Sequence, residues 1–308
     1  PSPGAANAEG FLGFVADTKF SADRGFCDAP FTVAITCATT NAEIRWTTNG
    51  SAPTTVNGTV YAGPVAITNT TCLRAAAFHP GLIPSDVDTH TYLFLQQVLR
   101  QSATQPGYPA VWQASYPADY EMDSNIVNHP NYGATLSNDL RSIPTLSIVS
   151  DHAGLWDAAN GIYPNAVNSG DLWERAASVE LIQPDGRTEF AVHCGVRMQG
   201  NASRDNVRTA KHSFRLVFSS RYGPTKLRYR WFPDTRMDAF DNIVLRACFT
   251  DAWTTRYSPG TTVGERYRPE DSLSLRDVWM KDSRLDLGWN TAHTTFDVPL
   301  IVVTYSLY

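Results

Sequence analysis

Between residues 31 and 94 the chain alternates short β-type runs with turn signals, and this spacing constrains the fold more than any other feature. The runs favour β-branched and aromatic residues in a period of two, as strands with one buried face do. Asn-Gly pairs at 49–50 and 57–58 are strong turn signals. No helix-period segment interrupts the series, so the pattern predicts a β-sandwich of about seven strands. The runs occupy residues 31–37, 43–48, 59–61, 64–67, 71–78 and 88–94.

The sequence predicts two domains, since 308 residues exceed what one ordinary core needs. A Pro-, Gly- and Ala-rich tail or linker at 1–19 precedes the sandwich at 20–95, and a turn-rich linker follows at 96–117. Residues 118–308 mix strand-type runs with a helix-period segment at 271–287, which predicts an α+β domain. The fold class is therefore mainly β plus α+β. The strand-type runs are 144–150, 178–182, 189–193, 196–198, 213–218 and 242–246.

Composition excludes several classes of function. The net charge is −5 and no block of Lys or Arg stands out, which argues against a nucleic-acid partner. No apolar run approaches the roughly 20 residues of a membrane span. Charged residues make up 18% of a chain rich in Thr, Asn, Ser and Pro, as in many extracellular β-rich proteins. We therefore expect a secreted or cell-surface protein, with an N-terminus at Pro1 that is processed or trimmed.

The five cysteines leave two interpretations open. None forms a C-x-x-C pair, which argues against a zinc site. In an oxidising compartment Cys72 could pair with Cys37 or with Cys27, and a Cys37–Cys72 bridge would contribute roughly 3–4 kcal/mol by chain entropy. The alternative is that these three are free thiols. For Cys194 and Cys248 we favour free thiols.

Residues 44–54 read I-R-W-T-T-N-G-S-A-P-T, followed by G-T-V-Y at 58–61 and P-V-A-I at 64–67. These motifs resemble, in the same order, the C-terminal-type domains of chitobiase and β-hexosaminidase. The resemblance implies an immunoglobulin-like accessory module without catalytic function. Asn49 stands where that family usually has Asp, and a turn tolerates this change.

A glycan is one candidate partner for this module. Trp46 and Tyr61 could stack on a sugar ring, and the chain contains eight Trp. We favour a role for both aromatic residues in the core, since that is the commoner use of such side chains.

The second half carries its own motifs. They include D-Y-E-M-D-S-N-I-V at 119–127, I-P-T-L-S-I-V at 143–149, R-M-Q-G-N-A-S-R at 197–204 and K-H-S-F-R at 211–215. Together they resemble the spore-coat CotH kinase family. That resemblance implies an atypical kinase fold, binding of ATP and Mg²⁺, and phosphoryl transfer to serine of a protein substrate.

The resemblance also implies a phosphate-contact site. Lys211 occupies the family's K-[K/H]-S-[F/Y]-[R/K] position and is the best candidate for contacting the nucleotide. Arg197, Asn201 and Ser203 belong to the preceding loop motif and would orient that loop. Taken without the family, Lys211 and Arg215 are solvated strand charges.

The family's catalytic signature, D-x-x-x-x-N-x-D-R, does not occur in the chain. In the family it lies beyond the position of Tyr308, so we expect the kinase-like domain to be incomplete, and the catalytic residues are unknown. Glu121, Asp123 and Asp251 are carboxylates that could substitute for it, although roles in turns and helix caps are preferred.

The sequence contains few other signs of catalysis or metal binding. G-x-S-x-G, Walker and H-E-x-x-H sequences are absent. His193 and His212 could approach each other across neighbouring strands, but two histidines alone predict a metal site only weakly.

Three functions follow from these observations. The first is a secreted CotH-like kinase or pseudokinase with an immunoglobulin-like accessory module that acts as a spacer. The second is a non-catalytic extracellular structural protein that self-assembles through exposed strand edges into filaments or lattices. The third is a carbohydrate-associated binding protein.

Overall fold

Strands dominate the part of the chain that the structure describes. The computed structural model describes residues 12–112, 116–118, 120–205, 212–231, 238–247 and 300–302, together with Trp279 and Ser283. Two hydrophobic cores form within these residues, one in each half of the chain. One core draws its residues from positions 20–94 and the other from positions 108–245.

Between residues 12 and 98, all of which the structure describes, there are nine strands in three sheets. A five-stranded sheet has the order β2-β9-β8-β5-β6, and β1 pairs with β4 and β3 with β7. The strands are β1 (Thr18–Phe20), β2 (Gly25–Phe26), β3 (Phe31–Val33), β4 (Ile35–Cys37), β5 (Glu43–Thr47), β6 (Thr59–Val60), β7 (Val65–Ile67), β8 (Thr71–Phe78) and β9 (Asp88–Leu93).

The run at 31–37, predicted as one strand, is two strands in the structure. Ala34 separates β3 from β4, and each half pairs with a different partner strand. Ala34 is held by Ser21, whose backbone N–H donates to the Ala34 carbonyl at 2.9 Å and whose Oγ accepts from the Ala34 N–H at 2.9 Å. This local exchange of partners lets the chain cross from one pair of strands to the other.

The core of the sandwich is aliphatic and aromatic. Leu73, Ala75 and Tyr92 are fully buried on β8 and β9. Trp46 and Tyr61 pack against this cluster, and the Tyr61 hydroxyl accepts a hydrogen bond from the Ile35 N–H at 3.1 Å. The packing agrees with the core role preferred for these two aromatic residues.

The segment predicted as a linker is partly built into the structure. Helix α1 (Leu95–Val98) follows β9 directly, and Val98 and Leu99 are buried. Farther along, Tyr108 packs edge-on against His152 with ring centroids 4.4 Å apart. Short elements then lead to the second domain: β10 (Val111–Trp112), β11 (Tyr116–Pro117), α2 (Ser124–Val127) and α3 (Leu136–Arg141).

The second half is organised by a six-stranded sheet with the order β12-β13-β14-β15-β18-β19. All neighbours are antiparallel except β18 and β19. The described residues of this half also contain a two-stranded sheet, β16-β17, helix α4 (His152–Trp156) and 3-10 turns at Asp171–Trp173 and Ala202–Arg204. The strands are β12 (Thr145–Ser150), β13 (Arg175–Ile182), β14 (Thr188–Gln199), β15 (Ser213–Val217), β16 (Leu227–Arg228), β17 (Ala239–Phe240), β18 (Asn242–Arg246) and β19 (Leu300–Val302).

The strands predicted in this half are present, including the β13–β14 hairpin around Pro184-Asp185-Gly186. The runs at 189–193 and 196–198, predicted as two strands, form the single strand β14. In the described residues this half is β-rich with short helices. The helix predicted at 271–287 lies outside the described residues except for Trp279 and Ser283, both of which are helical.

One face of the six-stranded sheet covers the second core. Alternate residues of β13, β14 and β15 point into it, among them Val179, Val196 and Leu216, which are at most 1% exposed. Trp156 and Tyr163 close the core on the far side, with ring centroids 4.7 Å apart.

The opposite face of this sheet is partly covered by the sandwich. Thr91 on β9 makes side-chain hydrogen bonds to Ser147 on β12 and to Glu180 on β13. At one end of the contact, the Asn49-Gly50 turn meets the carbonyl of Ser150. The two domains therefore stack sheet against sheet through a polar layer.

Candidate functional site

Two arginines lie side by side on the face of the six-stranded sheet that points away from the second core. Arg197 on β14 stands directly opposite Arg215 on β15 in the antiparallel register. Both alternate with core residues: Val196 and Met198 flank Arg197, and Phe214 and Leu216 flank Arg215. The period of two places both arginines on the same side of the sheet, and we call this surface the arginine face.

The two arginines have different partners. Arg197 Nη1 lies 3.4 Å from Asp171 Oδ1 and 3.6 Å from Glu174 Oε2. Arg215 Nε is buried and has no hydrogen-bond partner among the described residues. Burial, and next the charge of Arg197, lower the pKa of Arg215. Directly opposed like charges destabilise a β-ladder, so the pair is suited to an anion that bridges both guanidinium groups.

Gly195, two residues before Arg197, leaves room beside the pair for neighbouring side chains. A Cβ at Gly195 would lie 2.6 Å from Tyr222 Cε2 and 2.8 Å from Glu174 Oε1. The Tyr222 hydroxyl donates to Glu174 Oε1 at 2.9 Å, and burial raises the pKa of Tyr222 to about 12. Glu174 is thereby fixed against the sheet, where it partly neutralises Arg197.

The loop after β14 continues from the arginine pair. Asn201 is exposed and precedes the 3-10 turn Ala202–Arg204. The carbonyl of Ser203 lies 3.0 Å from Nδ1 of the buried His212, and Arg204 Nη1 donates to the Asn168 carbonyl at 2.9 Å. These contacts fix the described part of the loop against His212 and Asn168.

The structure describes three of the four predicted phosphate-site residues. Arg197 lies on the arginine face, and Asn201 and Ser203 lie in the loop that begins beside it. Lys211 lies outside the described residues. The residues alone predicted Arg215 to be a solvated charge on a strand. In the structure it is partly buried and lies opposite Arg197 in the register of β14 and β15. Its alternation with Phe214 and Leu216 was the signal in the sequence.

The predicted carboxylates do not form a second site in the described residues. Asp123 caps helix α2, since its Oδ1 accepts from the Asn125 N–H at 2.8 Å, which confirms the cap role. Glu121 is exposed, and Asp251 lies outside the described residues.

His193 and His212 are not brought together. His193 faces the sandwich, where Asp86 and Asp88 act on it, whereas His212 packs against the core residue Tyr163 with ring centroids 5.1 Å apart. Within the described ranges no group of three or more His, Cys, Asp or Glu could hold a metal ion.

The bridge considered between Cys37 and Cys72 is not formed. Cys37 Sγ lies 3.1 Å from the Ala16 carbonyl, beside β1, and Cys72 Sγ lies 3.8 Å from Thr91 Oγ1, on the side facing the second domain. The two thiols therefore contact different residues, and both are free. Cys27 and Cys194 are free as well, and Cys248 lies outside the described residues.

No helix among the described residues combines the length and the apolar character that crossing a membrane requires.

A family model described as Fn3 associated matches residues 33–92. The match runs from the end of β3 into β9, about a fifth of the chain, and supports an Fn3- or immunoglobulin-like module. No curated protein and no solved structure matches the chain.

Proposed function

We propose that this chain belongs to a secreted CotH-like protein, a kinase or pseudokinase, whose second domain binds the phosphates of a nucleoside triphosphate on the arginine face. The chitobiase-type sandwich is its accessory module. The single observation that carries this proposal is the direct cross-strand pairing of Arg197 with Arg215.

Phosphate suits this pair better than other ligands would. Guanidinium groups bind phosphate oxygens in a planar, two-pronged geometry, and two opposed groups can hold one phosphate from both sides. A chain with net charge −5 and no block of Lys or Arg in its sequence does not provide the row of cations that a nucleic acid needs. A short polyphosphate needs only a local pair.

The loop and Glu174 give this site its expected selectivity. Asn201 and Ser203 follow Arg197 within the R-M-Q-G-N-A-S-R motif, and they offer amide and hydroxyl groups to a bound anion. Glu174 already neutralises part of the charge on Arg197. We therefore expect Arg215 to contribute more than Arg197 to binding of a multiply charged anion.

Binding and transfer are separate parts of the proposal. The resemblance implies Mg²⁺ and a catalytic acid, and the motif that would supply the acid is absent from the sequence. The proposal for this chain is therefore phosphate binding, and transfer of labelled phosphate from the γ-position of ATP to a serine substrate distinguishes kinase from pseudokinase.

Isothermal titration of the chain with Mg·ATP and with tripolyphosphate tests the proposal. We expect both to bind, and Arg215→Met to weaken both by roughly tenfold or more, as loss of charge-assisted hydrogen bonds predicts. Arg187→Met is the matched control, because Arg187 is 65% exposed on the β13–β14 hairpin and paired with Glu189 at 2.7 Å.

Either of two results would overturn the proposal: no binding of either probe, or equal loss in the Arg215 and Arg187 variants. Filaments or lattices in electron microscopy together with absent binding would replace it with the structural alternative. Binding to a glycan array in place of phosphate would replace it with the carbohydrate alternative.

A further inference from the structure

Glu180 is a carboxylate buried between the two domains. Its side chain is 0% exposed in the middle of β13, directly opposite Ser147 of β12 and Ala191 of β14. The adjacent residue Val179 points into the second core, so Glu180 points toward the sandwich. A buried ionised carboxylate is costly unless it is paired and hydrogen-bonded.

The sandwich supplies the partners of this carboxylate. Thr91, itself 0% exposed, donates its hydroxyl to Glu180 Oε2. Arg24 Nε lies 3.0 Å from Glu180 Oε1, but this contact is an ion pair without an aligned hydrogen bond. The ionised carboxylate is thus only partly satisfied by its surroundings.

The hydroxyl groups around Glu180 form a chain that can run in either direction. Thr91 Oγ1 lies 2.8 Å from Ser147 Oγ, and either oxygen can be the donor. With Glu180 ionised, Ser147 donates to Thr91 and Thr91 donates to the carboxylate. With Glu180 protonated, the carboxyl O–H donates to Thr91, which then donates to Ser147. Protonation therefore loses no hydrogen bond between these three side chains, although it removes the charge that attracts Arg24.

Few charges offset the burial. The residues directly opposite Glu180 are uncharged: Ser147 on β12 and Ala191 on β14. His193 lies farther along β14, where its nearby charges are Arg74, Asp86 and Asp88. Burial raises the pKa of Glu180 to about 7, against the lowering effects of Arg24, of the hydroxyl and backbone N–H of Thr91, and of Arg74. The charged or titratable groups that act with Glu180 are Arg24, Cys72, Arg74 and Tyr92.

We propose that the Ser147–Thr91–Glu180 chain is a proton-sensitive lock, which holds the sandwich against the second domain more tightly when Glu180 is protonated. The proposal does not depend on the phosphate site. The folded state binds the proton of Glu180 more tightly than the unfolded chain does. The stability from this group is therefore fully present below the unfolded pKa, 4.5, and is lost as pH rises to about 7.

Thermal unfolding of the wild-type chain and of Glu180→Gln, between about pH 5 and about pH 8, tests the lock. Gln mimics the protonated side chain in size and hydrogen bonding. We expect the variant to match the wild type near the acidic end and to melt several degrees higher at the alkaline end. His90, whose pKa burial lowers to about 4, and His193 add opposite pH dependences, and the difference between the two proteins cancels them.

A difference in melting temperature that stays constant with pH, or a variant less stable than the wild type at alkaline pH, would overturn the proposal. Hydrogen exchange of the wild type gives a second test that needs no variant. After correction for the intrinsic pH effect, amides of β9 and β12 should lose protection as pH rises, while those of β3 and β7, away from the interface, should not. Equal responses in all four strands would contradict the lock.

Discussion

The α-carbon of Gly50 and the carbonyl oxygen of Ser150 are so close that a Cβ on residue 50 would lie 2.1 Å from that oxygen. Gly50 also has a φ of +76° in the turn after β5, and its own carbonyl accepts from Arg74 Nη1 at 2.6 Å. The turn that closes a loop of the sandwich therefore also docks the sandwich on the second domain. Through this contact the sandwich packs as a layer against the second domain.

Gly50→Ala should destabilise the chain through both effects. The left-handed conformation alone costs about 1–3 kcal/mol for a residue with a side chain, and the contact with Ser150 adds to it. Gly81→Ala is the control, because Gly81 has a φ of +79° and a Cβ there would meet no neighbouring atom within 4 Å. Urea unfolding should show a larger loss of unfolding free energy for Gly50→Ala than for Gly81→Ala. Equal losses would mean that the contact with Ser150 does not hold the two domains together.

Thr91→Val should weaken the interface between the domains. The substitution keeps the shape of a fully buried side chain but removes the donor to Glu180, at a cost of about 1–3 kcal/mol in unfolding free energy. Ser147→Ala is the comparison, since it leaves the donor to the carboxylate in place and should cost less. If both variants unfold like the wild type in urea, the hydroxyl chain contributes nothing to docking.

Two thiols should be protected in the native protein. Burial raises the pKa of Cys72 and of Cys194 to about 12 each, so the reactive thiolate is rare at neutral pH. A thiol-reactive disulfide reagent should therefore modify both slowly in the native protein and quickly in the denatured protein. Peptide mass analysis without reductant should find Cys37 and Cys72 unlinked, and a peptide that joins them would contradict the structure.

Most strands could be predicted from the sequence, whereas the stacking of the two domains could not. A strand with Thr89 and Thr91 on one face has the same pattern whether that face meets solvent or a polar partner sheet. The hydrophobic period locates the cores, but a polar interface has no hydrophobic signal. Glu180 is a charged residue type within the otherwise apolar run 179–182. In the structure it is fully buried, and it faces the sandwich.

The pairing of the two arginines could not be predicted from the sequence for a similar reason. The motif at 197–204 located Arg197, but only the register of β14 with β15 places Arg215 opposite it. That register depends on the conformation of the connection between the strands, which a period-two pattern does not determine. The family resemblance therefore pointed to the loop at 197–204, whereas the position of Arg215 opposite Arg197 is known only from the structure.

Arg215→Met separates the stability of the arginine face from its binding function. Without an anion the substitution removes a like-charge contact with Arg197 and a buried Nε that lacks a hydrogen-bond partner among the described residues, so the fold should gain about 0.2–1 kcal/mol. The gain should shrink as salt screens the repulsion. With tripolyphosphate present the order should reverse, because wild-type protein is stabilised by the bound ligand and the variant is not. Thermal unfolding at low and high salt, with and without tripolyphosphate, measures all four states. Arg187→Met should show neither effect, and an Arg215 variant that is less stable than the wild type without the anion would mean that Arg215 is a structural residue.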